Sequence, residues 1–172
     1  MREKSNRSKS NYDIEVERKY KVQWIENTFN LDFQEFEIFQ TYLKTARNQE
    51  ERVRKLKSDN VISYSHTIKK PISNTERTEI EKTISDEEYE ILLKRKDEKT
   101  KVIHKIRKVF IYKNQSFELD TYLIPTFSFQ ILEIENVQNH IDIDFPEFIK
   151  IIEDVTGDKT YSNYELSRKT FK

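Results

Sequence analysis

The sequence predicts an α+β fold: a closed eight-stranded antiparallel β-barrel, a tunnel with a charged lumen, with helices packed on its outside. Three observations predict it. Eight segments alternate with a period of two. One side of that alternation carries charges of both signs where an ordinary wet face would mix in Ser, Thr, Asn and Gln. Helix signals are few and separate from the alternating segments.

In chain order the strand candidates are DIEVERKY (13–20), IFQTYLK (38–44), EERVRKLK (50–57), SYSHTIKK (63–70), TERTEIEKTI (75–84), VIHKIRKVFIY (102–112), QSFELDTYL (115–123) and FQILEIEN (129–136). Ser85 followed by Glu88 is a capping box ahead of Tyr89, Leu92 and Leu93, which predicts a helix of about ten residues. Pro146 is read as opening a second helix, with a stripe of Phe148, Ile149, Ile152 and Val155 and a stop at Gly157. A third helix is expected near Ser162, with Glu165 as its box partner, and a fourth from Gln23 to Phe29. Residues 1–12 contain almost nothing to bury and read as a disordered tail; 13–172 read as one domain.

Residues two apart on a strand share a face. Glu15, Glu17 and Lys19 fall on one face; so do Arg52 and Arg54; Arg77, Glu79 and Glu81; Lys105 and Arg107; Glu118 and Asp120; and Glu133 and Glu135, with Lys69 as a further cation. Ile14, Val16, Val53, Ile80, Ile106, Phe117, Leu119 and Ile134 oppose them. Closing the sheet with the charged face inward and the apolar face under helices accounts for both faces. Bare charges cannot line a dry interior, because burying unpaired ions costs several kcal/mol each. The lumen is therefore expected to be hydrated and to hold a ligand. Clustered Lys and Arg suit phosphates, and carboxylates without Cys suit hard ions such as Mg²⁺ or Mn²⁺. A polyphosphate with a divalent metal satisfies both.

Composition removes several other classes. Lys and Arg number 31 against 31 Asp and Glu, so the chain has no bulk positive field for non-specific nucleic-acid or membrane binding. There is no cysteine, which excludes disulfides, thiolate zinc sites and a cysteine nucleophile, and fits a cytoplasmic location. Gly157 is the only glycine, so neither a P-loop nor a Rossmann fingerprint can be present. No apolar run reaches the roughly 20 residues of a membrane helix, and the polar N-terminus lacks a signal-peptide core. His66, His104 and His140 are too scattered for a histidine metal triad, and the aromatic residues sit mostly at apolar-face positions.

Glu15-Val-Glu17-Arg-Lys19, followed in order by Arg52-Val-Arg54, Thr67-Ile-Lys69, Arg77-Thr-Glu79-Ile-Glu81, Lys105-Ile-Arg107, Glu118-Leu-Asp120 and Glu133-Ile-Glu135, resembles the CYTH or triphosphate tunnel metalloenzyme superfamily from about residue 13 to the end. HTIKKP (66–71), FELDTYL (117–123) and EDVTGDKTYSNYELS (153–167) look most like the CYTH module that some eukaryotic proteins fuse to an ATPase-like domain. The resemblance implies an eight-stranded tunnel and a metal-dependent triphosphatase acting on inorganic tripolyphosphate or an organic triphosphate. A class IV type adenylate cyclase and a non-catalytic polyphosphate or nucleotide-binding module are the alternatives. By position, Glu15 and Glu17 would bind Mg²⁺ or Mn²⁺ with a glutamate of the Glu133/Glu135 pair and place the attacking water, the catalytic set being Glu15, Glu17 and Lys19. Lys19, Arg52, Arg54, Lys69, Lys105 and Arg107 would hold the triphosphate, assisted by Arg77. Glu79, Glu81, Glu118 and Asp120 would complete an acidic wall, by metal contact or by pairing with the cations. The expected partner is a triphosphate-containing small molecule, with no nucleic acid and no membrane; a homodimer is left open.

Overall fold

The computed structural model describes residues 17–25, 32–46, 49–71, 77–135 and 143–169. The predicted tail, Glu15, His140 and positions 26–29 of the helix expected from Gln23 lie outside them. Eight strands fall on the alternating segments: β1 (Arg18–Trp24), β2 (Phe33–Tyr42), β3 (Glu50–Ser58), β4 (Val61–Pro71), β5 (Arg77–Ile84), β6 (Ile103–Tyr112), β7 (Gln115–Ile124) and β8 (Gln130–Ile134). Gln23 and Trp24 thus end a strand and do not begin a helix. Between β6 and β7, Lys113 and Asn114 both take positive φ (47° and 64°), the two-residue turn whose twist matches that of antiparallel strands.

A ninth strand, β9 (Ile149–Asp154), replaces the helix expected after Pro146. The apolar spacing there fits either period, and the free edge of β1 decides between them. Unpaired backbone groups on a strand edge are satisfied by another strand and not by a helix. Gln23 pairs with Lys150 and Trp24 with Ile149, while the Pro146 carbonyl accepts the Ile149 N–H in a turn at 3.0 Å. Ile149 is buried and Ile151 half-buried; Ile152, which the helical stripe would have covered, is left 48% exposed.

The nine strands form one antiparallel sheet in the order β5-β4-β3-β2-β6-β7-β8-β1-β9. Among the described residues β5 and β9 end that order without pairing to each other, so the expected closed eight-stranded barrel is corrected there to an open nine-stranded sheet. The added strand covers the edge of β1 that closure would have required. The sheet nevertheless curls, since Glu79 and Glu81 of β5 line the same cavity as Lys19 of β1.

Register separates two faces. On the convex face, Tyr20, Val22, Phe110, Phe117, Leu119, Leu132 and Ile134 form a core capped by Phe145, Phe148 and Ile149. Farther along it, α1 (Asp86–Leu93) packs Tyr89 on Val53 and Ile84, with both bonds of the Ser85/Glu88 capping box present. The second helix, α2 (Asn163–Arg168), is capped by Ser162 as expected but packs on the concave face. There Leu166 is fully buried against Ile103, Tyr122 and Ile131, residues that share their face with the charged ones. Helices on the outside are thus correct for α1 and wrong for α2. Leu166→Ala should lower unfolding stability by about 2–5 kcal/mol, read as the urea midpoint; a change under about 0.5 kcal/mol, the usual surface value, would place this helix off the sheet.

Candidate active site

The concave face encloses a cavity of about 590 Å³. Six residues of the predicted set reach it from the phosphate-holding and catalytic groups: Glu17, Lys19, Arg52, Arg54, Lys69 and Arg107. From the acidic groups come Glu79, Glu81, Glu133 and Glu135. Alternation on separate strands and the pairing register bring them together: Lys19 lies opposite Glu133, Lys69 opposite Glu79, and Arg107 opposite Asp120. Arg77 pairs with Pro71 at the start of β5.

Lys105, Asp120 and Glu118 do not line the cavity; they form the layer that holds Arg107. Its Nε donates to Asp120 Oδ1 at 2.7 Å, and one terminal nitrogen donates to Asp120 Oδ2 and Glu133 Oε2 at 2.7 Å each. The other terminal nitrogen pairs with Glu118. Lys105 is fully buried on Asp120. Burial pushes the Lys105 ammonium down to about 8, with Arg107 adding repulsion that Asp120 only partly offsets. Burial alone would raise Asp120, but Lys105 and Arg107 reverse this and hold its carboxyl well below the usual 3.8. The two directions agree because Asp120 faces two cations, whereas Lys105 shares its one carboxylate with a guanidinium. For Glu118, burial wins and its carboxyl is raised.

Two further groupings complete the lining. Lys19 Nζ sits 2.9 Å from Glu17 and 3.0 Å from Glu133. Across the cavity, Glu79 takes Lys69 Nζ at 2.9 Å and an Arg52 terminal nitrogen at 3.4 Å, leaving the buried Arg52 Nε without a partner. Among the described residues, Arg54 is the cavity cation with no carboxylate at ion-pairing distance. It donates to the neutral Gln40 Oε1 at 3.0 and 3.2 Å, and Gln40 Nε2 donates to Tyr42 Oη at 2.7 Å. Burial, then repulsion from Arg52 and Arg107, lowers the Arg54 pKa. A guanidinium repelled by two others, hydrogen-bonded to an amide and only partly offset by the more distant Glu81 and Asp120, is a site for an added anion.

The expected metal ligands meet only in part. Glu17 and Glu133 converge on one cation, the Lys19 ammonium, and Glu135 lines the same cavity. Among the described residues, no three His, Cys, Asp or Glu side chains are gathered as a cation cage. The donors are all carboxylate oxygens, which fits a hard ion such as Mg²⁺ or Mn²⁺. His66 and His104 bind Glu51 and Glu37 at 2.8 and 2.9 Å on the opposite face, outside this lining.

Several lining residues were not anticipated. Glu50 shares the face of Arg52 and Arg54 one step earlier on β3, and Tyr42 is uncharged; Gln40 and Thr67 are buried beside the lining, although the alternation of 38–44 already puts Gln40 and Tyr42 together. Thr67 Oγ1 donates to Glu81 at 2.6 Å. Ser162, Asn163 and Tyr164 arrive because α2 folds back into the concave face: Tyr122 Oη donates to Asn163 at 2.6 Å, and the Tyr164 ring meets Tyr42 edge-on. No local signal announces that return.

Asp120 and Glu133 are both held below their ordinary 3.8 and 4.5, for Glu133 by Arg107, Lys105 and Lys19 against burial and Asp120. A depressed folded-state pKa means the unfolded chain takes up protons first as pH falls, so their contribution is present above about 4.5 and lost below it. The urea midpoint should fall steeply between about pH 4.5 and 3; a flat midpoint across that interval would contradict the carboxylate pairing.

No family model matches the chain and no curated protein does. Solved structures do. The inorganic triphosphatase NE1496 superposes with a TM-score of 0.64 at 24% identity, over 94% of this chain and 99% of that one. A conserved hypothetical protein from Pyrococcus furiosus gives 0.51 at 26%, over 73% of this chain and 80% of that one. A putative adenylate cyclase from Bacillus halodurans gives 0.50 at 15%, over 73% and 81%. The chain shares their fold. No helix among the described residues is long and apolar enough to cross a membrane.

Proposed function

We propose that the chain is a divalent-metal-dependent triphosphatase, hydrolysing inorganic tripolyphosphate or an organic triphosphate to release orthophosphate. The observation that carries this reading is Arg54, a part-buried guanidinium beside Arg52 and Arg107 with no carboxylate of its own, facing a cavity whose opposite wall holds Glu17 and Glu133. Arg52, Arg54 and Lys69 grip phosphate oxygens, Arg54 through two parallel N–H donors. Arg107, locked by three carboxylates, fixes Glu133 in place beneath them. Glu17 and Glu133, with Glu135 and with Glu15 from outside the described residues, would hold Mg²⁺ or Mn²⁺. When bound, such an ion supplies charge neutralisation and a lowered pKa for a coordinated water. Water attack forms one P–O bond as a bridging P–O bond breaks, and orthophosphate leaves the shortened chain. The similarity of fold to an inorganic triphosphatase supports the same reading.

The test is to incubate the purified chain with tripolyphosphate, ATP and thiamine triphosphate, each with Mg²⁺ or Mn²⁺, and separate the products by chromatography. Orthophosphate that disappears with excess EDTA is the expected result. Cyclic AMP from ATP would make the chain a cyclase, and tight binding without any product would make it a binding module. Glu17→Gln should abolish turnover with the fold retained by circular dichroism; near-normal rates would move the chemistry elsewhere.

A further inference from the structure

The carboxylates offered to the metal already hold a cation. Lys19 Nζ lies 2.9 Å from Glu17 Oε1 and 3.0 Å from Glu133 Oε1, with its side chain 18% exposed and that of Glu133 12% exposed. Glu133 is bound from its other oxygen by Arg107 at 2.7 Å, so it cannot swing away to serve a metal independently. The ammonium stands where a divalent ion bridging those two oxygens would sit, and two positive centres sharing them repel each other strongly at reduced dielectric. Metal and Lys19 therefore compete for one place.

We propose that Lys19 is a built-in stand-in for the metal: its ammonium occupies the Glu17–Glu133 cradle and must move off before a divalent cation can bind there. This rests on reading the cavity as a metal and phosphate site. Its consequence is a coupling of ligands. An anionic phosphate offers Lys19 a new partner across the cavity, and the vacated carboxylates then accept the divalent ion. Each ligand raises the affinity for the other, as linkage requires. Without phosphate the carboxylates are neutralised by Lys19, and a divalent ion binds weakly, only at concentrations high enough to displace the ammonium.

The test uses the full chain without any phosphate. Mn²⁺ is titrated in and the free ion is read by electron paramagnetic resonance, for wild type, Lys19→Met and Lys19→Arg. Lys19→Met should bind Mn²⁺ at least tenfold more tightly than wild type, although it has lost a polar group from the site, and Lys19→Arg should stay weak. A second measurement needs no variant. Acetic anhydride labelling of Lys19 in the wild-type chain, read by peptide mass spectrometry, should rise when Mg²⁺ is saturating, while labelling of the buried Lys105 should not. Equal or weaker Mn²⁺ binding by a folded Lys19→Met, or Lys19 labelling unchanged by Mg²⁺, would overturn the proposal. Both readouts are independent of turnover: tighter Mn²⁺ binding by Lys19→Met in a chain that hydrolyses no triphosphate would reject the enzymatic reading and leave the stand-in role intact.

Discussion

Arg107→Met should cost about 3–5 kcal/mol of unfolding stability, the range for removing one partner from a buried ion cluster. Asp120, Glu118 and Glu133 all converge on this guanidinium, and Asp120 is fully buried. Without it, Asp120 keeps Lys105, but Glu118 faces Glu133 with no cation between them, and Glu118 is already raised by burial. The variant should also reverse the response to acid. Wild-type stability falls as pH drops below about 4.5, because its paired carboxylates lie below their unfolded values. In Arg107→Met, carboxyls raised above those values take up protons in the folded state first, so mild acid should restore part of the lost stability. Urea midpoints of the two proteins at pH 7 and pH 5 would settle it. A variant within 1 kcal/mol of wild type at both pH values would mean that Arg107 is not the hub of this layer.

Arg54→Met should produce the opposite pairing of effects. Its charge is repelled by Arg52 and Arg107 more than the Glu81 and Asp120 carboxylates offset, and its hydrogen bonds go to the Gln40 amide. Replacing it with an apolar side chain of similar length removes that repulsion but strands the buried Gln40 Oε1, two effects of opposite sign, so the melting temperature should stay near wild type. Phosphate grip should fall. Removing a preorganised donor to developing charge typically costs a factor of about 100 to 1,000 in rate, and kcat/KM for tripolyphosphate should drop by about that much. A residue whose loss costs binding far more than stability is the usual signature of a functional position. Loss of stability together with unchanged turnover would show that Arg54 belongs to the fold and not to the ligand.

Why some of this was legible in the sequence and some was not follows from the range of the forces. Strand alternation is local: Ile80 between Glu79 and Glu81, or Ile106 between Lys105 and Arg107, tells which residues share a face without reference to the rest of the chain. The Ser85/Glu88 and Ser162/Glu165 caps are equally local, since each bond closes within three residues. Strands β1 to β8, helix α1, the start of α2 and the charged composition of one face were therefore all readable. Which charges would face a ligand was not. Lys105 and Arg107 look alike along the strand, yet one is sealed under the floor and the other reaches the cavity, because the β6 bulge at His104/Lys105 and the packing of α2 decide depth.

The amino-acid order determined the elements, the two-faced character of the sheet and the pool of acids and bases from which a phosphate and metal site could be drawn. Tertiary structure alone decided that β9 would take the edge of β1, that the sheet would stay open, that α2 would sit within its curve, and that Arg54 would be left without a counter-ion while Lys19 acquired two. The reason is physical. Alternation and capping are settled between neighbours a few residues apart, whereas edge satisfaction and charge pairing depend on groups more than a hundred residues away in the chain, as Lys19 and Glu133 are.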